Sequence, residues 1–405
     1  MKRWLSLSSL ALIFLTQATT RIQGQQVAVI NGCYQKNNGQ LRLVQKQSDC
    51  TLSELSVSWQ QSPGASQNSK KAGSRTVTAV QTLGGAENVA YSINDHGEIV
   101  GSSGVAGGSS HAFLFRQGQL FDLSPLNSGT IQTVGPTDLN NHGEIVSGMV
   151  VSGVYLPAVF DTQFETITTL GSLGGVTSFG LSGVAMGINN RNEAVGFSYL
   201  SGGINRHAFL YKNGVMSDLG SFGGFSLATD INDAGEIVGF SSNLFNGIAH
   251  AFLYSNGVMT DINPFGGTTF GSSESAARAI NKRGGVVGEG FHSSGSFRAF
   301  LHLNGAVTDL GLLPDGRNSF GKGINDFGAV VGTADIPFMG TCEDPVTGEP
   351  FPCIQYKLVA FLYDNGVMTD LNSLLPSGSG WELITAFDIN NRGQIVGQGL
   401  LNGNL

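Results

Sequence analysis

INDHGEIVG, Ile93 to Gly101, decides how this chain is read, because the same pattern returns six more times. The copies are LNNHGEIVS from Leu139, INNRNEAVG from Ile188, INDAGEIVG from Ile231, INKRGGVVG from Ile280, INDFGAVVG from Ile324 and INNRGQIVG from Ile389. Their first residues are 46, 49, 43, 49, 44 and 65 positions apart, the period of a propeller blade. A small residue stands three places before the Ile: Ala90, Ala185, Ala228, Ala277 and Ala386, with Pro136 and Gly321 in the other copies, which implies close backbone packing. After the Ile comes a four-residue turn that opens with Asn in every copy, as in Asn94 and Asn232. The Asn side-chain oxygen is suited to bond the turn's own backbone, and the fourth position calls for positive φ, hence Gly97 and Gly235. Asn192 fills that place once, and Asn is the non-Gly residue that tolerates this conformation best. A calcium loop is disfavoured, since the D-x-D-x-D-G spacing is absent and the residue after the Asn varies among Asp, Asn and Lys. Glu98, Glu144, Glu193 and Glu236, which follow the turn, read as strand-edge charges.

The second half of each unit is a hairpin. HAFLFRQGQLFDL from His111 recurs as HAFLYKNGVMSDLG from His207, HAFLYSNGVMTDI from His250, RAFLHLNGAVTDLG from Arg298 and VAFLYDNGVMTDL from Val359. Apolar strands flanking Asn-Gly are a strong hairpin signal, because a two-residue loop with positive φ at both positions matches the strand twist. Pro157 to Gly171 is a degenerate copy in which Pro157 and Thr169 take the places of His and Asp. Elsewhere His111, His207 and His250 are matched by Asp122, Asp218 and Asp261 eleven residues later, a spacing that lets them bond across the hairpin. A structural role is expected for these pairs, and a core role for the Phe and Tyr of the same strand.

These motifs resemble the bacterial extracellular HAF-repeat proteins, on His111-Ala112-Phe113, His207-Ala208-Phe209 and His250-Ala251-Phe252 and on the Asp-Leu or Asp-Ile and GG segments after them, such as Gly174-Gly175 and Gly223-Gly224. The resemblance implies an exported repeat protein and no particular reaction. From the repeats themselves, two strands per Ile unit and two per HAF unit make a four-stranded blade. The fold class expected is all-β: a β-propeller of about seven four-stranded repeats over 76–405, preceded by a small disulfide-stapled β unit. The last blade is incomplete, unless Gln398 to Leu405 folds in as a short third strand beside Thr76 to Thr82.

Residues 1–24 carry Lys2 and Arg3, an apolar core from Leu5 to Leu15 and then small polar residues, the pattern of a leader removed on export. Its core is too short to span a bilayer, and no other membrane span is expected. Four cysteines allow three connectivities; local pairing, Cys33 with Cys50 and Cys342 with Cys353, is the expectation for an exported chain. Segment 25–60 resembles short modules placed before the main body of bacterial exported proteins, on Gly32-Cys33, Asn38-Gly39, Leu41-Arg42, Cys50 and Trp59. Segment 61–75 is polar and aperiodic, a linker composition.

Charged residues make up 12% of the chain and the net charge of −8 is not gathered into runs, which argues against nucleic acid and anionic membranes as partners. No cofactor or metal site is expected, since neither cysteine pair has the CxxC spacing or a nearby His. Between Thr333 and Leu358 a connection of about ten residues is replaced by one of twenty-six, read as a long loop. Phe338, Glu343, Asp344, Glu349, Phe351 and Tyr356 in it mix aromatic anchors with charge and are the candidate binding residues. The function expected is that of a secreted or cell-surface, monomeric, non-catalytic binding protein for a saccharide or protein. The alternative is an extracellular polysaccharide-cleaving hydrolase or lyase on the same frame, which would need non-repeating carboxylates or an Arg, His and Tyr cluster at the central channel.

Overall fold

The computed structural model describes residues 76–403 except 107, 124–133, 164, 244–246, 267–273 and 344–348, with only the backbone of 86 and 134–136 and of 11–15, 30–35, 41–44 and 54–59. The linker 61–75, the Cys33–Cys50 pair and most of the expected leader lie outside the described residues. Segments Leu41–Val44, Ile30–Gln35 and Glu54–Trp59 form, in that order, a three-stranded antiparallel sheet ahead of the repeats.

From Thr76 on, the repeats become antiparallel four-stranded sheets. Six blades, spanning 84–122, 134–169, 183–218, 223–261, 275–309 and 319–370, are each built from four consecutive strands in sequence order. A seventh sheet begins with Trp381–Ile389 and Ile395–Leu401 and ends with Thr76–Val80, so the last blade does lack two strands of its own. Its third position is held by Ala11–Leu15, with Leu12 opposite both Gly397 and Ala79, and not by Gln398 to Leu405. The first strands of the blades pack on one another in a circle that closes where Trp381–Ile389 meets Gly84–Ile93. They are the innermost strands and line a central channel.

The core lies between blades. Val146 of blade two packs against Ala185, Ile188 and Phe209 of blade three, and Val195 of blade three against Ala228, Ile237 and Phe252 of blade four. Phe113, Phe209, Phe252, Phe300 and Phe361 are all fully buried, as expected for the HAF strand, and each such ring contributes about 1.5–3 kcal/mol by leaving water. Each lies directly opposite the last Gly of the GEIVG motif: Gly101, Gly196, Gly239, Gly288 and Gly332. A Cβ on Gly101 would stand 2.0 Å from the Val89 carbonyl oxygen and 2.7 Å from the Phe113 ring, so this Gly is required by close approach. In blade two the corresponding pair is Ser147 opposite Ala158, smaller where the others are large and larger where they are small. That register also corrects the sequence alignment: Ala158 is opposite Thr169 as Phe113 is opposite Asp122, so Leu156, not Pro157, stands where other blades have His.

Candidate functional site

Each inner strand carries a β-bulge at one place. In blade one Ala90 faces Gly101 and Ser92 faces Val100, leaving Tyr91 as the extra residue. The same shift isolates Met186, Thr229, Arg278, Lys322 and Phe387, and the irregularity of blade two spans Thr137. A bulge re-aims its side chain out of the pleat, and here all seven side chains line one cavity of about 430 Å³ at one end of the channel. We call this end the wide mouth. Its rim is uneven. Arg278, Lys322, Phe387 and Tyr91 follow one another on blades five, six, seven and one, with the Lys322 Nζ 5.4 Å from the centre of the Phe387 ring and Tyr91 edge-on to Phe387 at 5.7 Å. Burial holds the Lys322 ammonium below the ordinary lysine range, with Arg278 adding to the effect and Glu289 opposing it.

Below the rim lie Asp138, Asp230 and Asp388, each one residue before the Ile or Leu of its repeat. Each ties two blades together. Asp138 Oδ2 accepts from the Ile188 amide at 3.0 Å, Asp230 Oδ2 from Ile280 at 2.8 Å and Asp388 Oδ2 from Ile93 at 2.9 Å, while the Oδ1 atoms accept from the next amide of their own strand. Ser92 Oγ bridges Asp138 and Asp388 at 2.7 and 2.9 Å. Burial, reinforced by the repulsion of Asp388, pushes Asp138 up to about 6; burial, reinforced by Asp138, pushes Asp230 up to about 8; burial raises Asp388 as well.

The opposite end is built from the repeat turn. The Asn side chains at positions 94, 140, 189, 232, 281, 325 and 390 are all buried. Their Oδ1 atoms accept from the amides two and four residues on, the turn role expected from sequence. Their Nδ2 atoms do something more. Asn94 donates to the Asn140 carbonyl, Asn140 to Asn189, Asn189 to Asn232, Asn232 to Asn281, Asn281 to Asn325, Asn325 to Asn390, and Asn390 back to Asn94, at 2.9 to 3.2 Å. The turn Asn is therefore a closing hoop as well as a local cap, and backbone geometry alone does not account for it. Glu98, Glu144, Glu193 and Glu236 are corrected too: each takes a hydrogen bond from its own turn Asn, at 2.6 to 2.8 Å, instead of standing free at a strand edge. The residue after the Asn forms an outer ring. The amides of Asp95, Asn141, Asn190, Lys282, Asp326 and Asn391 each donate to the Oδ1 of the next member, so an Asp or Asn acceptor is what this position needs. Lys282, which has no such acceptor, instead pairs its Nζ with Asp326 Oδ2 at 2.6 Å.

Searched against known proteins, the chain matches no family model. It matches no curated protein either. Among solved structures it is similar to TolB from Acinetobacter baumannii, with a TM-score of 0.40 and 11% identity over 71% of this chain and 59% of that one. It is also similar to an acylaminoacyl peptidase from Pyrococcus horikoshii (0.43, 12%, 74% and 46%) and to an oligogalacturonate lyase from Vibrio parahaemolyticus (0.45, 9%, 81% and 94%). The chain thus spans less than two thirds of the first two. The propeller is established by the strand order and the closed circle of inner strands.

Of the six residues picked out between Thr333 and Leu358, Phe338, Glu343, Phe351 and Tyr356 sit on strands and not on a loop. Val330–Glu343 and Pro350–Asp364, strands two and three of blade six, run on past their neighbours as a two-stranded hairpin from Asp335 opposite Leu358 to Glu343 opposite Pro350. Alternation puts Phe338 and Phe351 on one face with the Cys342–Cys353 disulfide, and Tyr356 on the other with Met339, Ile354 and Leu358. The apolar side chains Met339 and Ile354 are 69% and 64% exposed. Glu343 and Glu349 are at the tip; Asp344 lies outside the described residues. The base is fastened by Asp335, which accepts from the Asn318 amide and side chain, by Lys357 with Glu382, and by Arg317 over the Tyr356 ring at 4.0 Å. Because second strands run from the Asn end toward the wide mouth, this hairpin rises at the same end as Lys322.

Three His–Asp pairs form as expected, His Nδ1 to carboxylate, at 2.9 Å for His111–Asp122 and His207–Asp218 and 2.7 Å for His250–Asp261. They are far from the channel, on the outer strands. Among the described residues no group of three or more His, Cys, Asp or Glu is arranged to hold a metal ion, and no helix is long and apolar enough to cross a membrane.

Proposed function

We propose that this chain is an exported, non-catalytic binding protein of the HAF-repeat kind, and that a saccharide or protein ligand is held at the wide mouth beside the blade-six hairpin. One observation carries the reading. Seven bulges direct the inner-strand side chains that do not repeat into a single cavity on a ring fixed by hydrogen bonds, and variable groups on a rigid frame are how recognition sites are made. The carboxylates near that cavity favour binding over acid–base chemistry, because Asp138, Asp230 and Asp388 already hold backbone amides of two blades each. A glycan array and a protein-partner screen, run with a parallel assay for released reducing ends and unsaturated sugars, test it. Binding without turnover is the expected result; product formation would replace this reading with the hydrolase or lyase alternative.

Replacing Pro337 to Tyr356 with Asn-Gly keeps Asp335 and the Lys357–Glu382 pair and should leave the thermal midpoint nearly unchanged while weakening binding. Export assigns residues 1–24 to a leader, yet Ala11–Leu15 is also the third strand of the seventh sheet, and one molecule does not have both. N-terminal sequencing of the mature protein separates them.

A further inference from the structure

The rim of the wide mouth divides by what its side chains are already doing. Thr137 and Thr229 give their hydroxyls to the Ala185 and Ala277 carbonyls of the next blade, at 2.7 and 3.0 Å. Arg278 is held by Glu289, through Nε at 2.9 Å and through Nη2. Lys322 is different. It is half-buried, it touches the Phe387 ring, and among the described residues no carboxylate comes within ion-pair distance of it. An ammonium partly withdrawn from water, whose nearest counter-charge, Glu289, is already paired with Arg278, is a costly arrangement unless something supplies more charge.

The surroundings say what kind of group that is. The floor of the cavity is lined by Asp138, Asp230 and Asp388, three carboxyls gathered in one place that already hold backbone amides, so a further acid group is repelled there and belongs at the rim. Beside Lys322, Phe387 and Tyr91 form an edge-to-face pair 5.7 Å apart, with Phe387 between the ammonium and Tyr91. An aromatic face is a surface for the C–H side of a sugar ring. The cavity, about 430 Å³, lies within the usual range for a small-molecule site, roughly 300–1,000 Å³. Building on the binding reading above, we infer that the wide mouth takes a saccharide bearing an acid group, carboxylate or sulfate, with the acid against Lys322 and a sugar ring on Phe387.

The test is calorimetric titration of the full chain with three probes: a hexuronic acid oligosaccharide, its methyl ester, and a sulfated hexose oligosaccharide. At least one acidic probe should bind, and Lys322→Met should weaken it by about tenfold or more, the scale of a charged hydrogen bond. Lys322→Arg, which keeps the charge, should stay within about threefold of the parent. Phe387→Leu should weaken acid and ester alike. Binding of the uronate but not its ester assigns the acid as carboxylate; binding of the sulfated probe alone assigns it as sulfate. Equal affinity for acid and ester with no response to Lys322→Met would overturn the inference while leaving a saccharide-binding protein. Failure to bind any glycan, neutral or acidic, on the array would remove both the inference and the saccharide form of the function. Thermal melts of each variant show whether a loss reflects unfolding.

Discussion

At the Asn end of the channel seven side chains of one type repeat a single bond pattern, while three residues earlier on the same strands the bulge positions hold Tyr91, Thr137, Met186, Thr229, Arg278, Lys322 and Phe387. The two places differ in what the backbone leaves for the side chain to do. The turn presents amides and carbonyls that need partners, and Asn, with an acceptor oxygen and a nitrogen that donates twice, meets both a local and a neighbouring demand. At the bulge the backbone is re-aimed and the side chain points into open space, so many residue types fit. Uniformity at one end holds the ring, and diversity at the other is available for recognition.

The largest effect should come from breaking the hoop. Asn232→Ala strands the Ala234 and Glu236 amides in a buried turn and takes one of its two donors from the Asn281 carbonyl, which keeps the Gly284 amide, and should lower unfolding free energy by about 3 kcal/mol in urea titrations. Asn232→Asp keeps the acceptor and loses the donor, so its own loss, roughly half as large, measures the blade-to-blade bond together with the contact to Glu236, and the remainder belongs to the turn. If Asn232→Asp costs nothing, the hoop contributes nothing beyond the turn.

Gly235→Val comes next. With φ at +84° and the Arg191 guanidinium 2.9 Å from where a Cβ would stand, a β-branched residue is strained, by about 2 kcal/mol. Glu236→Ala should cost about 1 kcal/mol, since it removes the acceptor of Asn232 Nδ2, which keeps the Asn281 carbonyl. Equal losses would mean that the turn does not need its positive φ.

The carboxyls between the two ends predict a pH dependence. Asp138 and Asp230 are raised to about 6 and about 8, so the folded protein binds more protons than the unfolded chain above the ordinary Asp range. Unfolding free energy therefore falls as pH rises from about 4 to about 8, the reverse of a salt-bridged Asp. Chemical denaturation at pH 5 and pH 8 measures it, and Asp230→Asn should flatten the slope; a midpoint that rises with pH contradicts the shift. Smallest of all, Lys322→Met at the mouth should change stability by no more than about 0.5 kcal/mol. A larger loss would make Lys322 a structural residue and sharpen the comparison against us.

Much of this was legible in the chain. The Asn-Gly turns, the buried HAF Phe, the His–Asp pairs and the Cys342–Cys353 disulfide follow from local chemistry at fixed spacing. The hoop was not, because a side chain that satisfies its own turn gives no sign of a second partner about 45 residues away. Nor was the mouth. A bulge adds one residue and shifts the alternation on which strand reading depends, so period-2 patterning does not mark Lys322 and Arg278 as facing the channel. The signal lay in the repeats: between a constant small residue and a constant Ile, one position changes in almost every copy. The blade-six hairpin was read as a loop because of its length, and Pro337, Pro350 and Pro352 do not prevent its pairing, since a two-stranded ribbon has an unpaired edge on each side where proline fits.

The exchange in blade two, Ser147 and Ala158 for Gly and Phe, carries a history. If the blades arose by copying one unit, the two changes had an order. A serine arriving first would have met a phenylalanine ring and a carbonyl at distances real atoms do not occupy, as at Gly101. An alanine arriving first would have left a void, which a folded domain survives more often than a clash. Ancestral intermediates of this blade should therefore contain Gly with Ala, and the Gly-to-Ser step became open only afterwards, when the inner strand of that blade had also moved to the irregular register between Val134 and Asp138.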